Sequence, residues 1–131
     1  MLKRKLGATL IQIARFPMVF PLVKFFFKHM GQHLPIDRIS ENSHWMAFHH
    51  PRPAYPLHIL ILPKDGITSL LEAPTDQPEI YTDLIEIVKT LVKNNQLDEK
   101  GYRLITNGGN NQSLPQWHWH LIGELDGDTH A

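Results

Sequence analysis

A chain of 131 residues is the length of one compact domain, and 42% hydrophobic against 20% charged residues gives it material for a real core. It contains no cysteine, which excludes disulfides and thiolate metal sites and agrees with a reducing compartment. The formal net charge of zero conceals an asymmetry: residues 1–36 hold Lys3, Arg4, Lys5, Arg15, Lys24 and Lys28 and no acid, whereas all thirteen acids follow from Asp37 onward.

The first segment, residues 1–33, reads as a basic, apolar helical arm rich in phenylalanine (Phe16, Phe20, Phe25, Phe26, Phe27). Its uncharged runs Leu6–Ala14 and Phe16–Val23 are too short to span a bilayer, which takes roughly 20 apolar residues. Arg15 divides them, and Pro17 and Pro21 end or kink a helix. Lys3-Arg4-Lys5 and the apolar run after it resemble the start of a signal peptide, but no small-residue cleavage site follows. The arm suits one or two short helices that cover the body, dock a partner or lie peripherally on an anionic membrane. The expected location is cytoplasmic.

From Leu34 to residue 125 the pattern predicts a second unit. Short strands are expected at Asp37–Glu41 and Trp45–His49, separated by Asn42-Ser43. Pro51, Pro53 and Pro56 mark an extended loop. Leu57–Leu62 is a strand closed by the turn sequence Pro63-Lys64-Asp65-Gly66, and Ile67–Glu72 is expected to form a short helix. Ile80, Leu84, Ile87, Val88, Leu91 and Val92 keep helical spacing and predict a long helix over 78–95, with Pro78 in its first turn and Thr75 or Asp76 as its cap. A strand Tyr102–Thr106, a polar loop 107–113, and a last strand near Pro115–Gly123 complete the unit, and residues 126–131 form a polar tail. Strands returning through short loops around one long helix predict an α+β domain, an antiparallel sheet of about five strands with one long and one short helix.

The last strand carries the chemistry. Alternation puts Gln116, His118 and His120 on one face and Trp117, Trp119 and Leu121 on the other. Two imidazoles at this spacing can divide the tasks of nucleophile and acid/base, because histidine titrates near neutrality. The preceding loop offers main-chain N–H groups, Asn107 and Ser113 to phosphate oxygens. From the pair alone, a zinc site or a structural cross-strand pair stays open.

The run Gln116-Trp117-His118-Trp119-His120-Leu121-Ile122-Gly123 resembles the histidine-triad signature. Gly101–Asn107 with Gln112-Ser113, and Met46–His49 with His58–Lys64, are similar to the strand, phosphate loop and opening hairpin of that superfamily's Hint branch. The resemblance covers about residues 34–124. It implies a HIT-like fold and a nucleotide hydrolase or nucleotidyl transferase, a phosphoramidase type of activity at the α-phosphate. His118 matches the nucleophile that forms a nucleotidyl-histidine, His120 the third triad position, and His58 the histidine beside the nucleophile. Asn107, Gln112 and Ser113 match phosphate contacts, and Phe48 with His49 and His50 the nucleoside pocket wall. The implied ligand is a purine mononucleotide or nucleotide conjugate, the implied assembly a homodimer, and no metal, cofactor or nucleic acid is expected. Two positions depart from the pattern. Gln116 stands at the first histidine position and cannot carry a proton at neutral pH, and His50 stands where the branch usually has an acid. These departures motivate an alternative: a catalytically weak nucleotide-binding adaptor or sensor. A zinc-dependent hydrolase using His118, His120 and His58 is the third reading.

Overall fold

The structure is a computed structural model that describes residues 37–123. The arm at 1–33 and the tail at 126–131 lie outside the described residues. Five strands, β1 (Ser40–Glu41), β2 (Trp45–His49), β3 (Leu57–Pro63), β4 (Tyr102–Thr106) and β5 (Trp119–Gly123), form one antiparallel sheet in the order β1-β2-β3-β5-β4. A long helix α1 (Pro78–Asn94) and a short helix α2 (Leu97–Lys100) fall between β3 and β4. The α+β class expected from the sequence is the class observed.

The core lies between α1 and one face of the sheet. Ile80, Leu84, Ile87, Val88, Leu91 and Val92 pack on Trp45 and Ala47 of β2, Ile59 and Ile61 of β3, and Leu121 of β5. These are the residues that the 3.6-residue period singles out on α1, and every second residue on the strands. The alternate strand residues Met46, Phe48, Leu60 and Leu62 are buried too, on the opposite face, which is why β2 and β3 read as near-continuous apolar runs. Trp45 locks strand to helix: its indole Nε1 donates to the Ile80 carbonyl at 2.7 Å, and its ring meets Trp117 edge-on at 5.2 Å.

Four boundaries differ from the sequence expectation. Gln77, not Thr75 or Asp76, is the residue before α1, and it makes no side-chain cap bond. Pro78 takes the first helical position, so the cap position falls on its immediate neighbour. The first strand shrinks to Ser40–Glu41, although Ile39 N–H still bonds the Ala47 carbonyl at 2.9 Å. Residues 67–72 yield one 3-10 turn, Leu70–Glu72, because the Ile67 carbonyl is spent on Trp117 N–H at 2.8 Å and on the Gln116 amide. The last strand begins at Trp119, since Pro115 has no N–H for a ladder and residues 114–116 bend.

Candidate active site

The register of β3 on β5 pairs His58 with Ile122 and Leu60 with His120, so His58 and His120 are diagonal neighbours on the face away from α1. Their rings meet with His58 Nε2 and His120 Nδ1 2.8 Å apart. His118 sits one residue before β5, 93% covered, with its ring centre 5.0 Å from that of His120. His50, just past β2, lies flat on His58 with ring centres 4.3 Å apart. Four imidazoles from three chain segments thus form one cluster.

Hydrogen bonds fix which nitrogen of each ring carries the proton. Ala54 N–H donates to His58 Nδ1 at 3.1 Å, so that nitrogen holds a lone pair and the neutral ring is protonated at Nε2. Nε2–H then donates to His120 Nδ1, which leaves the proton of neutral His120 on its own Nε2. On His118 the order is reversed: Nδ1 lies 2.7 Å from the Gln116 carbonyl, an acceptor, so Nδ1–H donates and Nε2 keeps its lone pair. One imidazole therefore presents a nucleophilic nitrogen and its neighbour an N–H donor.

Burial favours the neutral form of His58, His118 and His120. Burial lowers the pKa of His118, partly opposed by the Gln116 carbonyl, and burial alone lowers that of His58. His120 is lowered to about 4, first by burial and then by the neighbouring charges that His118, His58 and His50 would carry.

Ring nitrogens of His50, His58 and His120 lie within 4.8 Å of one another, close enough to raise the question of a metal ion. A ligating histidine donates its second ring N–H to an acceptor. Here the second nitrogens of His58 and His50 face N–H donors instead, Ala54 at 3.1 Å and Arg52 at 2.9 Å. The arrangement suits hydrogen bonding to an anion, and does not fit a three-imidazole metal centre.

The remaining sequence-selected residues separate into those at the imidazoles and those beside them. Gln116 is 99% buried, and its amide Nε2 goes to the carbonyls of Ile67 and Trp117, both at 3.2 Å. Gln112 Nε2 donates to the carbonyls of Thr68 and Leu114, clamping two loops together. Exposed Ser113 and half-buried Gln112 line an open cleft of about 320 Å³ against Thr68 and Ser69. Asn107 is half-buried just past β4, Phe48 is buried, and His49 is exposed.

Three positioning groups escaped the sequence reading. Thr106 Oγ1 donates to the His118 carbonyl at 2.8 Å and accepts from Trp117 Nε1 at 3.1 Å, which anchors the backbone at His118. The other two are the main-chain N–H groups of Arg52 and Ala54. With proline at 51, 53 and 56, the loop has N–H groups only at Arg52, Ala54 and Tyr55, and two of them meet imidazole nitrogens. The proline spacing was the visible signal.

The HIT domain family model matches residues 32–127. A 14 kDa zinc-binding protein of Zea mays is 35% identical over 102 residues, covering 75% of this chain and 79% of that protein. The adenylylsulfatase HINT1 of Arabidopsis thaliana is 34% identical over 102 residues, covering 75% of this chain and 69% of that protein. Among solved structures, a HIT family hydrolase from Legionella pneumophila superposes with a TM-score of 0.69 at 30% identity, covering 81% of this chain and 94% of that one. The match over most of the chain, on a sheet that brings His58, His118 and His120 together, places this protein in the HIT (histidine triad) family.

Proposed function

We propose that the protein is a nucleotide hydrolase or nucleotidyl transferase that works at the α-phosphate of a purine mononucleotide conjugate. The observation that carries this is the tautomer of His118: its Nδ1–H is held by the Gln116 carbonyl, so the Nε2 lone pair is ready to attack phosphorus. A bond forms between Nε2 and phosphorus as the bond to the leaving group breaks. His120 Nε2–H donates to the departing atom or to a phosphoryl oxygen. Water then cleaves the nucleotidyl-histidine, and the net reaction of a phosphoramidate with water gives nucleotide and amine. The Arabidopsis relative is named an adenylylsulfatase and the Legionella one a hydrolase, which supports an adenylyl substrate and net hydrolysis. The same reading includes two copies of the chain joined along the outer edge of β4.

Incubation with adenosine 5′-phosphoramidate, followed by chromatography, tests the proposal. The expected result is release of AMP and ammonia, and a fall of about 10⁴-fold or more in rate for His118→Ala. Equal rates for both proteins would end it. A second reading is a nucleotide-binding adaptor, favoured by Gln116, whose amide serves the fold and carries no proton. Calorimetry showing AMP binding without turnover of the phosphoramidate would select it.

A further inference from the structure

We infer that Thr106 is a positioning residue that sets the rate of attack by His118 from behind the sheet, through the main chain and without touching the substrate; this rests on the reading of His118 as the nucleophile. His118 lies one residue before β5, and its carbonyl is held by Thr106 Oγ1 at 2.8 Å. That hydroxyl has a single proton. Trp117 Nε1–H donates to the same oxygen at 3.1 Å, and a carbonyl can only accept, so the Thr106 proton is committed to His118. Trp117 is itself fixed: it is buried in the core, its ring meets Trp45 edge-on, and its main-chain N–H donates to the Ile67 carbonyl at 2.8 Å.

Register places Thr106 away from the substrate side. It pairs with Trp119 across β4 and β5, and paired residues share a face, so its side chain stands on the α1 side with Trp119. His58 and His120 stand on the other side. The 116–118 turn is thus held at both ends: the Gln116 carbonyl receives Nδ1–H, and the His118 carbonyl receives the Thr106 proton. The bond to Gln116 aims the ring only while the turn keeps its shape, and the hydroxyl at the far end keeps that shape. In-line attack needs the Nε2 lone pair at a set distance and direction, and a misplacement of about 1 Å can cost on the order of 10²-fold in rate. No substrate contact is involved, so the effect falls on kcat and leaves KM alone.

Steady-state turnover of adenosine 5′-phosphoramidate by full-length variants tests the inference, with circular dichroism as the check of folding. Thr106→Val keeps the shape and removes the hydroxyl; its kcat is expected to fall roughly tenfold while KM stays within about twofold. Thr106→Ser keeps the donor and is expected to return kcat to within about twofold of wild type. Should Thr106→Val not fold, Thr106→Cys takes its place, because its S–H is only a weak donor, and its kcat is expected below that of Thr106→Ser. Wild-type kcat in the variant without a strong donor overturns the role of Thr106. So does a rise in KM in place of the fall in kcat, or a Thr106→Ser enzyme no faster than that variant. Each of these outcomes leaves the wild-type turnover, and with it the role of His118, intact. No turnover by the wild-type protein overturns the reading of His118 as nucleophile, and this inference with it.

Discussion

Gln116 shows how one residue can serve a site through its main chain and the fold through its side chain. The resemblance puts it at a histidine position, where a side-chain amide can donate and accept hydrogen bonds but carry no proton. The structure instead uses its main-chain carbonyl to hold His118 Nδ1–H, while the side chain is spent on Ile67 and Trp117. Its Oε1 is buried with no hydrogen-bond partner among the described residues. Leucine has nearly the same volume, so Gln116→Leu loses two long hydrogen bonds but also relieves an unsatisfied acceptor, two effects of about 1–3 kcal/mol that oppose each other. The carbonyl, and with it the His118 tautomer, survives the change. Gln116→Leu is therefore expected to keep turnover within roughly tenfold of wild type. A loss as deep as that of His118→Ala would show that the amide itself takes part. The alternation of residues 116–120 made the histidines legible, because His118 and His120 do approach each other. Their proton positions were not legible, since every group that sets them, from Ala54 N–H to the Gln116 carbonyl, belongs to the main chain or to a paired ring.

At the scale of elements, legibility followed length. α1 was visible in full because six buried residues repeat at helical spacing and Pro78 marks the start. β2 and β3 were visible because two buried faces demand apolar residues throughout. Short elements depended on partners that no local pattern announces. β1 exists through its pairing to Ala47 and Met46, and the 67–69 stretch stays extended because Trp117, Gln116 and Gln112 bond its carbonyls. Helix α1 closes the face opposite the imidazoles, so its packing supports the register of β3 on β5 that brings His58 to His120. Leu91 is 98% covered in that layer. Leu91→Ala is expected to cost about 2–5 kcal/mol from lost burial and the cavity left behind. Urea unfolding followed by circular dichroism measures it, and a change below about 1 kcal/mol would mean that the helix collapses onto the sheet without loss.

The whole molecule joins site and stability through the histidines. His58, His118 and His120 are all pushed below the ordinary imidazole value of 6.5 by burial, His120 to about 4. A depressed histidine pKa means that the folded state resists a proton which the unfolded chain accepts. Above pH 6.5 neither state is charged and nothing is lost. Between 6.5 and about 4 the unfolded chain binds more protons, so stability falls as the pH falls. Below that window His120 adds no further slope. The carboxylate of Glu41 acts lower: its hydrogen bond to Lys64 at 3.1 Å depresses its pKa below 4.5, so its contribution is present above 4.5 and fades only beneath it. Melting temperatures are accordingly expected to decline steadily from pH 6.5 to 4, with a visibly shallower decline in His120→Gln, where the most depressed imidazole is gone. The same neutral His118 keeps its Nε2 lone pair into mildly acidic solution, so the acid limb of the proposed phosphoramidate turnover is expected below 6.5. A melting profile that is flat from pH 7 to 4.5, in the wild type and in His120→Gln alike, would mean that the imidazoles take up protons in the folded state as freely as in the unfolded chain. It would contradict the neutral, hydrogen-bonded tautomers on which the proposed attack by His118 and donation by His120 both depend.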